Sequence, residues 1–348
     1  MRSTRPKPLH RLCGRPLVLH VVDALVELPI DRTVVVVAHS AERVAKTLQQ
    51  QAPGGVMLDV VEQPRPRGTG DAVAVALTAF PDEDLDDGGD IVVVPGDTPL
   101  LRAPTLAALV RQHREADAAA TVLTARLTDP TGYGRIVRSK DGRVHRIVEE
   151  EEVTVAEHDI DEVNTGVYCF RRSLLAPTLR RIMPDDIEGD IRLTDAIEVL
   201  HDAGYTVASM LIDDQMEAAG VNDRAQLAVA EAELRDRINE RWMRRGVTML
   251  DPERTYIEAG VRIEQDVTLF PGTLLQGSTV IERNCEIGPD VRLVDCNVCE
   301  GAVVEYTVGY QAEIGADAVV GPFARLNPGV RLAPGTVTGP FFAGESAE

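Results

Sequence analysis

One carboxylate stands where a sheet would offer it to a ligand. In Ile91-Val-Val-Val-Pro-Gly-Asp-Thr-Pro-Leu100, four β-favouring residues run into a Pro-Gly turn, the pattern of a central parallel strand that is apolar on both faces. Asp97 then falls just past the strand's carboxyl end, where open α/β sheets bind ligands. A carboxylate there suits a hard cation such as Mg²⁺ shared with phosphates, although the same residues also describe an ordinary surface Gly-Asp turn. A second stretch, Gln63-Pro-Arg-Pro-Arg-Gly-Thr-Gly-Asp-Ala72, lies between a strand and a helix. Its Gly68 and Gly70 permit close backbone approach, and the helix offers its N-terminus to an anion. Asp129-Pro-Thr-Gly-Tyr-Gly-Arg-Ile136, Arg146-Ile-Val-Glu149, Glu162-Val-Asn-Thr-Gly166 and Gly220-Val-Asn222 follow in that order. Taken singly each reads as a turn or a cap, with Asn222 in particular as a helix N-cap.

The elements that must position these residues alternate. From Leu17 to about Ile212, apolar strands and amphipathic helices succeed one another. The pattern predicts strands at Thr33 to Ala38, Val56 to Val61, 91 to 95 and Ala119 to Arg126. It predicts helices after Ser40 as N-cap, at about Gly70 to Phe80 and near 104 to 113. That is the signature of βαβ units and a mostly parallel sheet. Near Asn222 a charged helix begins and runs to about Arg245, with Leu227, Ala230, Leu234 and Ile238 on one side, as a connector between domains would have.

After Asp251 a six-residue period sets in. Ile257, Ile263, Leu269, Leu275, Ile281, Ile287 and Leu293 are spaced by six, with Val261, Val267, Thr273 and Thr279 four places on. The register slips between Cys299 and Val308, then resumes at Val308, Ile314, Val320, Leu326 and Leu332, with Ala312, Ala318 and Ala324 in the fourth place. This period predicts a parallel β-helix with one short face per hexapeptide, which can serve as scaffold alone.

Totals bound the rest. At 348 residues with 44% hydrophobic content, the chain can bury two cores. No run approaches the 18 apolar residues of a membrane span. A net charge of −20 argues against a general nucleic-acid surface, yet Arg2, Arg5, Lys7, Arg11 and Arg15 all precede the first acid, Asp23. Pro6, Pro8 and Pro16 break any amphipathic targeting helix in that basic segment. Five scattered cysteines, with one C-x-x-C at Cys296 and Cys299, point to small buried residues in a reduced cytoplasm rather than to a disulfide framework or a zinc site.

Taken together and in this order, the motifs resemble GlmU-type bifunctional enzymes, which join an N-acetylglucosamine-1-phosphate uridylyltransferase to a glucosamine-1-phosphate acetyltransferase. The resemblance covers nearly the whole chain. It implies a Rossmann-like (GT-A-like) nucleotidyltransferase domain over 1–221, a linker helix over 222–250, a left-handed β-helix over 251–340 and a tail over 341–348. By the same resemblance Lys7 contacts phosphate, while Gln63, Gly68 and Thr69 hold the uridine beside the Gly96-Asp97 turn. Asp97 and Asn222 match the Mg²⁺ ligands, and Gly134, Glu149, Asn164 and Thr194 match positions that grip the sugar and its acetamido group. The implied reaction joins UTP and N-acetylglucosamine-1-phosphate into UDP-N-acetylglucosamine and pyrophosphate, for cell-envelope precursors, in a cytoplasmic homotrimer.

Such a reaction asks little covalent chemistry of the protein. A sugar phosphate is already anionic near neutral pH, so no general base is needed, and the site must align the reactants and neutralise charge. Departures from the family pattern are local: Pro95 stands for an aromatic, Asp190-Ile-Arg192 for Glu-Tyr-Tyr, Ala219 for an acid. Met1-Arg-Ser-Thr aligns just after the family's first strand and Gly-rich phosphate loop. Asn327 falls where the family has a substrate-binding arginine, and the acetyltransferase machinery aligns beyond Glu348. The expectation is therefore no acetyl transfer. Two readings stay open beside the leading one, a related nucleotidylyltransferase with another base or sugar and a non-catalytic or regulatory subunit that binds sugar nucleotide.

Overall fold

The computed structural model describes residues 1–38, 41–54, 57–80, 89–182 and 189–344. The chain divides into two compact units, Met1–His10 with Leu17–Gln226, and Arg11–Pro16 with Leu227–Glu348. The second unit thus takes up a short hairpin from near the amino end, Arg11–Leu12 against Arg15–Pro16.

In the first unit, α1 (Leu17–Val26), β1 (Thr33–Val37), α2 (Ala41–Gln51), β2 (Leu58–Glu62), α3 (Gly68–Leu77), β3 (Asp90–Val93), α4 (Ala103–Glu115) and β4 (Ala120–Arg126) alternate as the apolar pattern requires. Ser40 and Val56 lie outside the described residues. After β4 come β5 (Arg135–Arg138), β6 (Val144–Val148), β7 (Glu162–Arg171), α5 (Arg172–Leu179), α6 (Asp195–Asp202) and β8 (Val207–Leu211). The larger sheet has the order β8-β4-β7-β5-β6, with β3 also on β7, and β1 pairs with β2 in parallel. Strands β3, β4, β5 and β8 share one direction, while β7 and β6 run against them. The expectation of parallel neighbours for the 91–95 strand is corrected here, because β3 ladders antiparallel onto β7. Its residues are half-buried rather than covered on both faces.

Strand β7 carries the arrangement that matters for the site. Its carboxyl half pairs with β3, Val93 opposite Tyr168, and its amino end pairs with β5, Arg135 opposite Val163. Two strands therefore abut end to end along one edge of β7. On the opposite edge the register with β4 jumps from Val122 opposite Tyr168 to Thr124 opposite Asn164, a bulge that leaves residues 165–167 outside the ladder. Gly166 has φ +77°, and a Cβ on it would stand 3.0 Å from Pro95 Cγ.

The second unit contains α7 (Arg224–Met243) from Leu227 onward and a left-handed parallel β-helix of about five turns, its short strands stacked in three ladders. Ile257, Leu269, Leu275, Ile281, Ile287 and Leu293 point into a continuous core, each at most 2% exposed. Each such side chain contributes about 1.5–3 kcal/mol on burial. Beyond Leu293 the inward positions are Val298, Val304, Gly309 and Ile314, so three intervals shorten to five residues. Val308 is thus not the inward residue where the period resumes. Gly309 takes that place opposite Leu293, and a Cβ there would meet Leu293 Cδ2 at 2.9 Å.

Candidate active site

The site begins where β3 ends. Pro95-Gly96-Asp97 turns away from β7, held by the Thr98 hydroxyl donating to the Pro95 carbonyl at 2.9 Å. The Val221 N–H donates to the Asp97 carbonyl at 2.9 Å, so the 220–222 segment is laced to this turn. Lys7 opens a short 3₁₀ turn, Lys7–Leu9, in which the Leu9 N–H donates to the Pro6 carbonyl. The Lys7 ammonium donates to Asp97 Oδ2 and, at 2.5 Å, to Asn222 Oδ1. Three polar groups separated by 90 and 215 residues in sequence thus meet at one point.

Asn222 is available for this because it does not cap α7. Asp223 does so, its Oδ1 accepting from the Gln226 N–H at 2.8 Å, which corrects the reading of Asn222 as N-cap. A cleft of about 420 Å³ opens beside Lys7, between Ser3–Pro8 and the end of β1 at Val36–Ala38. Its size falls within the range of small-ligand sites.

A second group of residues gathers at the gap between β3 and β5. The Gly134 carbonyl accepts from the Asn164 N–H at 2.8 Å, and a Cβ on Gly134 would stand 3.4 Å from Glu149 Oε2. Glu149 Oε1 accepts from the Thr194 hydroxyl at 2.7 Å, and Thr194 stands at the N-terminus of α6. The four residues matched to the sugar pocket thus form two hydrogen-bonded pairs, Gly134 with Asn164 and Glu149 with Thr194, that adjoin where Gly134 faces Glu149. Tyr168, which sequence reasoning missed, completes the group, its phenol oxygen accepting from Asn164 Nδ2 at 2.8 Å. Burial pushes the Tyr168 phenol above its ordinary range, opposed in part by the Asn164 hydrogen bond, with the charge of Glu149 as a smaller upward push. Its signal was the spacing of four from Asn164, which on a strand puts both on one face.

The glycine loop is built differently from its expected use. Gly68 (φ +90°) and Gly70 do permit close approach, but what approaches is the 190–192 backbone. A Cβ on Gly68 would meet Asp190 Oδ1 at 2.0 Å and the Ile191 carbonyl at 2.5 Å. The Gly70 N–H donates to that carbonyl at 2.8 Å, the Ile191 N–H donates to the Arg67 carbonyl, and the Thr69 hydroxyl accepts from the Leu193 N–H at 3.0 Å. The expected anion site at the Gly70 amide is thus occupied by protein. Gln63 is 7% exposed and donates to Asp71 Oδ2 at 2.7 Å and to the Gly68 carbonyl at 3.3 Å. Gly96, by contrast, faces open space.

The chemistry of Asp97 and Asn222 fits a hard divalent cation. One carboxylate and one amide oxygen already converge on a single positive charge, and both are the donor type that Mg²⁺ takes.

Comparison with known proteins places this chain in a class. The nucleotidyl transferase family matches residues 2–243, and the chain belongs to that family. It is also similar, through most of its length, to the proteins named Bifunctional protein GlmU. That of Thermobifida fusca (strain YX) is 44% identical over 315 residues, covering 90% of this chain and 64% of the relative. That of Mycobacterium marinum (strain ATCC BAA-535 / M) is 44% identical over 317 residues, covering 91% and 64%. The chain thus spans about 64% of the length of these relatives. Among solved structures, HddC from Yersinia pseudotuberculosis superposes with a TM-score of 0.49 at 15% identity, over 67% of this chain and 92% of that one.

Proposed function

We propose that the protein is a sugar-1-phosphate uridylyltransferase that makes UDP-N-acetylglucosamine and pyrophosphate from UTP and N-acetylglucosamine-1-phosphate. The observation that carries this reading is the convergence of the Asp97 and Asn222 oxygens on the Lys7 ammonium, together with the paired Gly134 and Asn164 and the paired Glu149 and Thr194. Similarity to the GlmU proteins supplies the substrates.

In this reading a phosphate oxygen of the sugar phosphate attacks the α-phosphorus of UTP, and the bond to the bridging oxygen of pyrophosphate breaks. Asp97 and Asn222 would hold Mg²⁺, which when bound supplies positive charge to the phosphates. Lys7, released from these two oxygens, pairs with phosphate as a compact ammonium donor. Glu149 accepts a sugar hydroxyl or amide proton in an orientation fixed by Thr194, and Asn164, held by Tyr168, presents its amide to the acetamido group. Gln63, Gly68 and Thr69 line the uridine side, with the 190–193 backbone closing the loop behind them. The amides of that loop are not assigned to phosphate, because Gly70 already donates to Ile191.

No helix among the described residues is long and apolar enough to cross a membrane; the proposed cytoplasmic setting and role in envelope-precursor synthesis rest on the similarity to the GlmU proteins. The β-helix supports a homotrimer, tested by sedimentation against the 37.8 kDa chain mass. Acetyl transfer is not part of the proposed activity, since Asn327 stands where the resemblance puts an arginine; consumption of acetyl-CoA by the purified protein would overturn this.

The test of the main reading is pyrophosphate release from UTP and N-acetylglucosamine-1-phosphate with Mg²⁺, repeated with GTP and TTP and with glucose-1-phosphate. Release restricted to UTP and the N-acetylated sugar is expected. A second reading, sugar-nucleotide binding without turnover, is favoured by the Lys7 ammonium standing between the two cation ligands. UDP-N-acetylglucosamine binding without pyrophosphate release in any combination would select it.

A further inference from the structure

At the end of α6 remote from Thr194, two imidazoles and a carboxylate face one another. His145 comes from β6, and His201 with Asp202 from the last turn of α6. The two rings have centroids 4.6 Å apart, tilted at 56°, and His145 Nε2 lies 3.8 Å from Asp202 Oδ1. One ligand atom from each residue falls within 4.8 Å of the others. Both histidines are half-buried and Asp202 is exposed, so the group sits on a rigid strand–helix junction with one side open to solvent. His201 also lines a cavity of about 380 Å³ together with Ser139, Lys140, Asp141, Arg143, Gly204 and Tyr205. Arg143 is already paired with Asp141.

We propose that His145, His201 and Asp202 bind a divalent transition-metal ion of the zinc class. Three arguments converge. Imidazole nitrogens suit Zn²⁺, Cu²⁺ and Ni²⁺, whereas Mg²⁺ prefers oxygen donors alone, so this site is chemically distinct from the Asp97 and Asn222 pair. Two histidines and one carboxylate are a known three-ligand zinc set with a fourth position left for water, and here the open side provides that position. The ligands stand at the carboxyl end of a helix, where backbone carbonyls make the potential negative and a cation is favoured. The separations exceed those between ligands sharing one ion at about 2.0–2.2 Å, so binding draws the side chains together by about an ångström, which the exposed Asp202 can absorb by rotation.

Such an ion ties β6 to α6. The same two elements, at their other ends, lead into Glu149 and Thr194, which hydrogen-bond at 2.7 Å. The ion therefore braces the frame behind that pair without touching it, and it stabilises the folded state by mass action.

The experiment is titration of the full chain, free of any affinity tag, with Zn²⁺ alone, followed by calorimetry and by thermal midpoint. The wild type is expected to bind one equivalent that His145→Ala and His201→Ala each lose, and that excess Mg²⁺ does not displace. Asp202→Asn is expected to weaken it, and the zinc-dependent rise in midpoint disappears in both histidine variants. Each variant's metal-free midpoint and far-ultraviolet spectrum show that it is folded. Co²⁺ in place of Zn²⁺ gives visible bands without a thiolate charge-transfer band, which separates this site from the five cysteines. The proposal is overturned if the His145→Ala, His201→Ala double variant keeps the same number of equivalents, if a thiolate band appears, or if the wild type binds no Zn²⁺ at micromolar concentration.

Discussion

Lys7 is the residue whose position changes most in meaning between sequence and structure. In sequence it is one basic residue among five; folded, it is the common partner of Asp97 and Asn222. Asp97 was legible because a carboxylate after a buried strand has a chemical reason to be there. The contact of Lys7 was not, because nothing local encodes a partner 90 residues away. Asn222 reads locally as a cap, a role that Asp223 takes instead, and only the family resemblance marked it as a ligand. Replacing Asp97 by Asn keeps the shape and removes the charge that would hold the cation. Pyrophosphate release should fall about 10²–10³-fold, the scale of losing one electrostatic contact in a reaction site, with an unchanged thermal midpoint. Undiminished turnover would remove Asp97 from the site. Tyr168→Phe leaves the half-buried Asn164 amide without this acceptor, at a cost of about 1 kcal/mol in urea denaturation. Its KM for the sugar phosphate should rise more than its kcat falls, since the lost bond orients a binding group.

Among the elements, β7 decides where the site forms. The alternation of strands and helices was readable from apolar periodicity, but β7 entering antiparallel between β4 and the β3/β5 edge was not, because strand direction is set by pairing and not by composition. Its bulge at Gly166 is the hinge of this arrangement. Gly166→Ala forces a side chain into a left-handed backbone and onto Pro95 at 3.0 Å, so a loss of about 1–3 kcal/mol is expected, together with a displaced Asp97 turn. A midpoint and turnover equal to the wild type's would show that the bulge tolerates a side chain. On α4, His113 gives a pH signature. Its Nδ1 is 2.9 Å from Thr121 Oγ1 and its Nε2 3.4 Å from Asp90 Oδ1. Burial lowers its pKa below 6.5 despite Asp90, with Arg171 and Arg114 acting in the same direction as burial and Asp117 against it. The unfolded chain then binds this proton first, so stability falls as pH drops through 6.5 toward the lower folded value. The stability gap between wild type and His113→Gln should therefore narrow between about pH 7.5 and 5.5, measured by urea denaturation; a constant gap would refute a neutral His113 in the fold.

At the scale of the molecule, the two units were legible to different degrees for a physical reason. A solenoid repeats one short rule, so the inward column from Ile257 to Leu293 could be read directly. Past Leu293 a slip was visible but the inward residues were not, because a five-residue step leaves no compositional mark except a glycine at 309. There the interior is filled by Leu293 Cδ2, by Cys296 Sγ at 3.3 Å from where a Cβ would be and by Leu326 Cβ at 3.8 Å. Leu293 thus serves its own coil and the space that Gly309 leaves in the next. Leu293→Ala should accordingly cost toward the upper part of the usual range of about 2–5 kcal/mol for such truncations. Because each coil leans mainly on its neighbours, the loss spreads along the stack. The chain's single tryptophan, Trp242, is 6% exposed and belongs to the same core cluster as Leu293. Its fluorescence in urea therefore reads the second unit directly, and its transition is expected to move to lower denaturant with little change in slope. A loss below about 1 kcal/mol would mean that the coils on either side of Leu293 close over the cavity, and that the column is not the continuous support its burial implies.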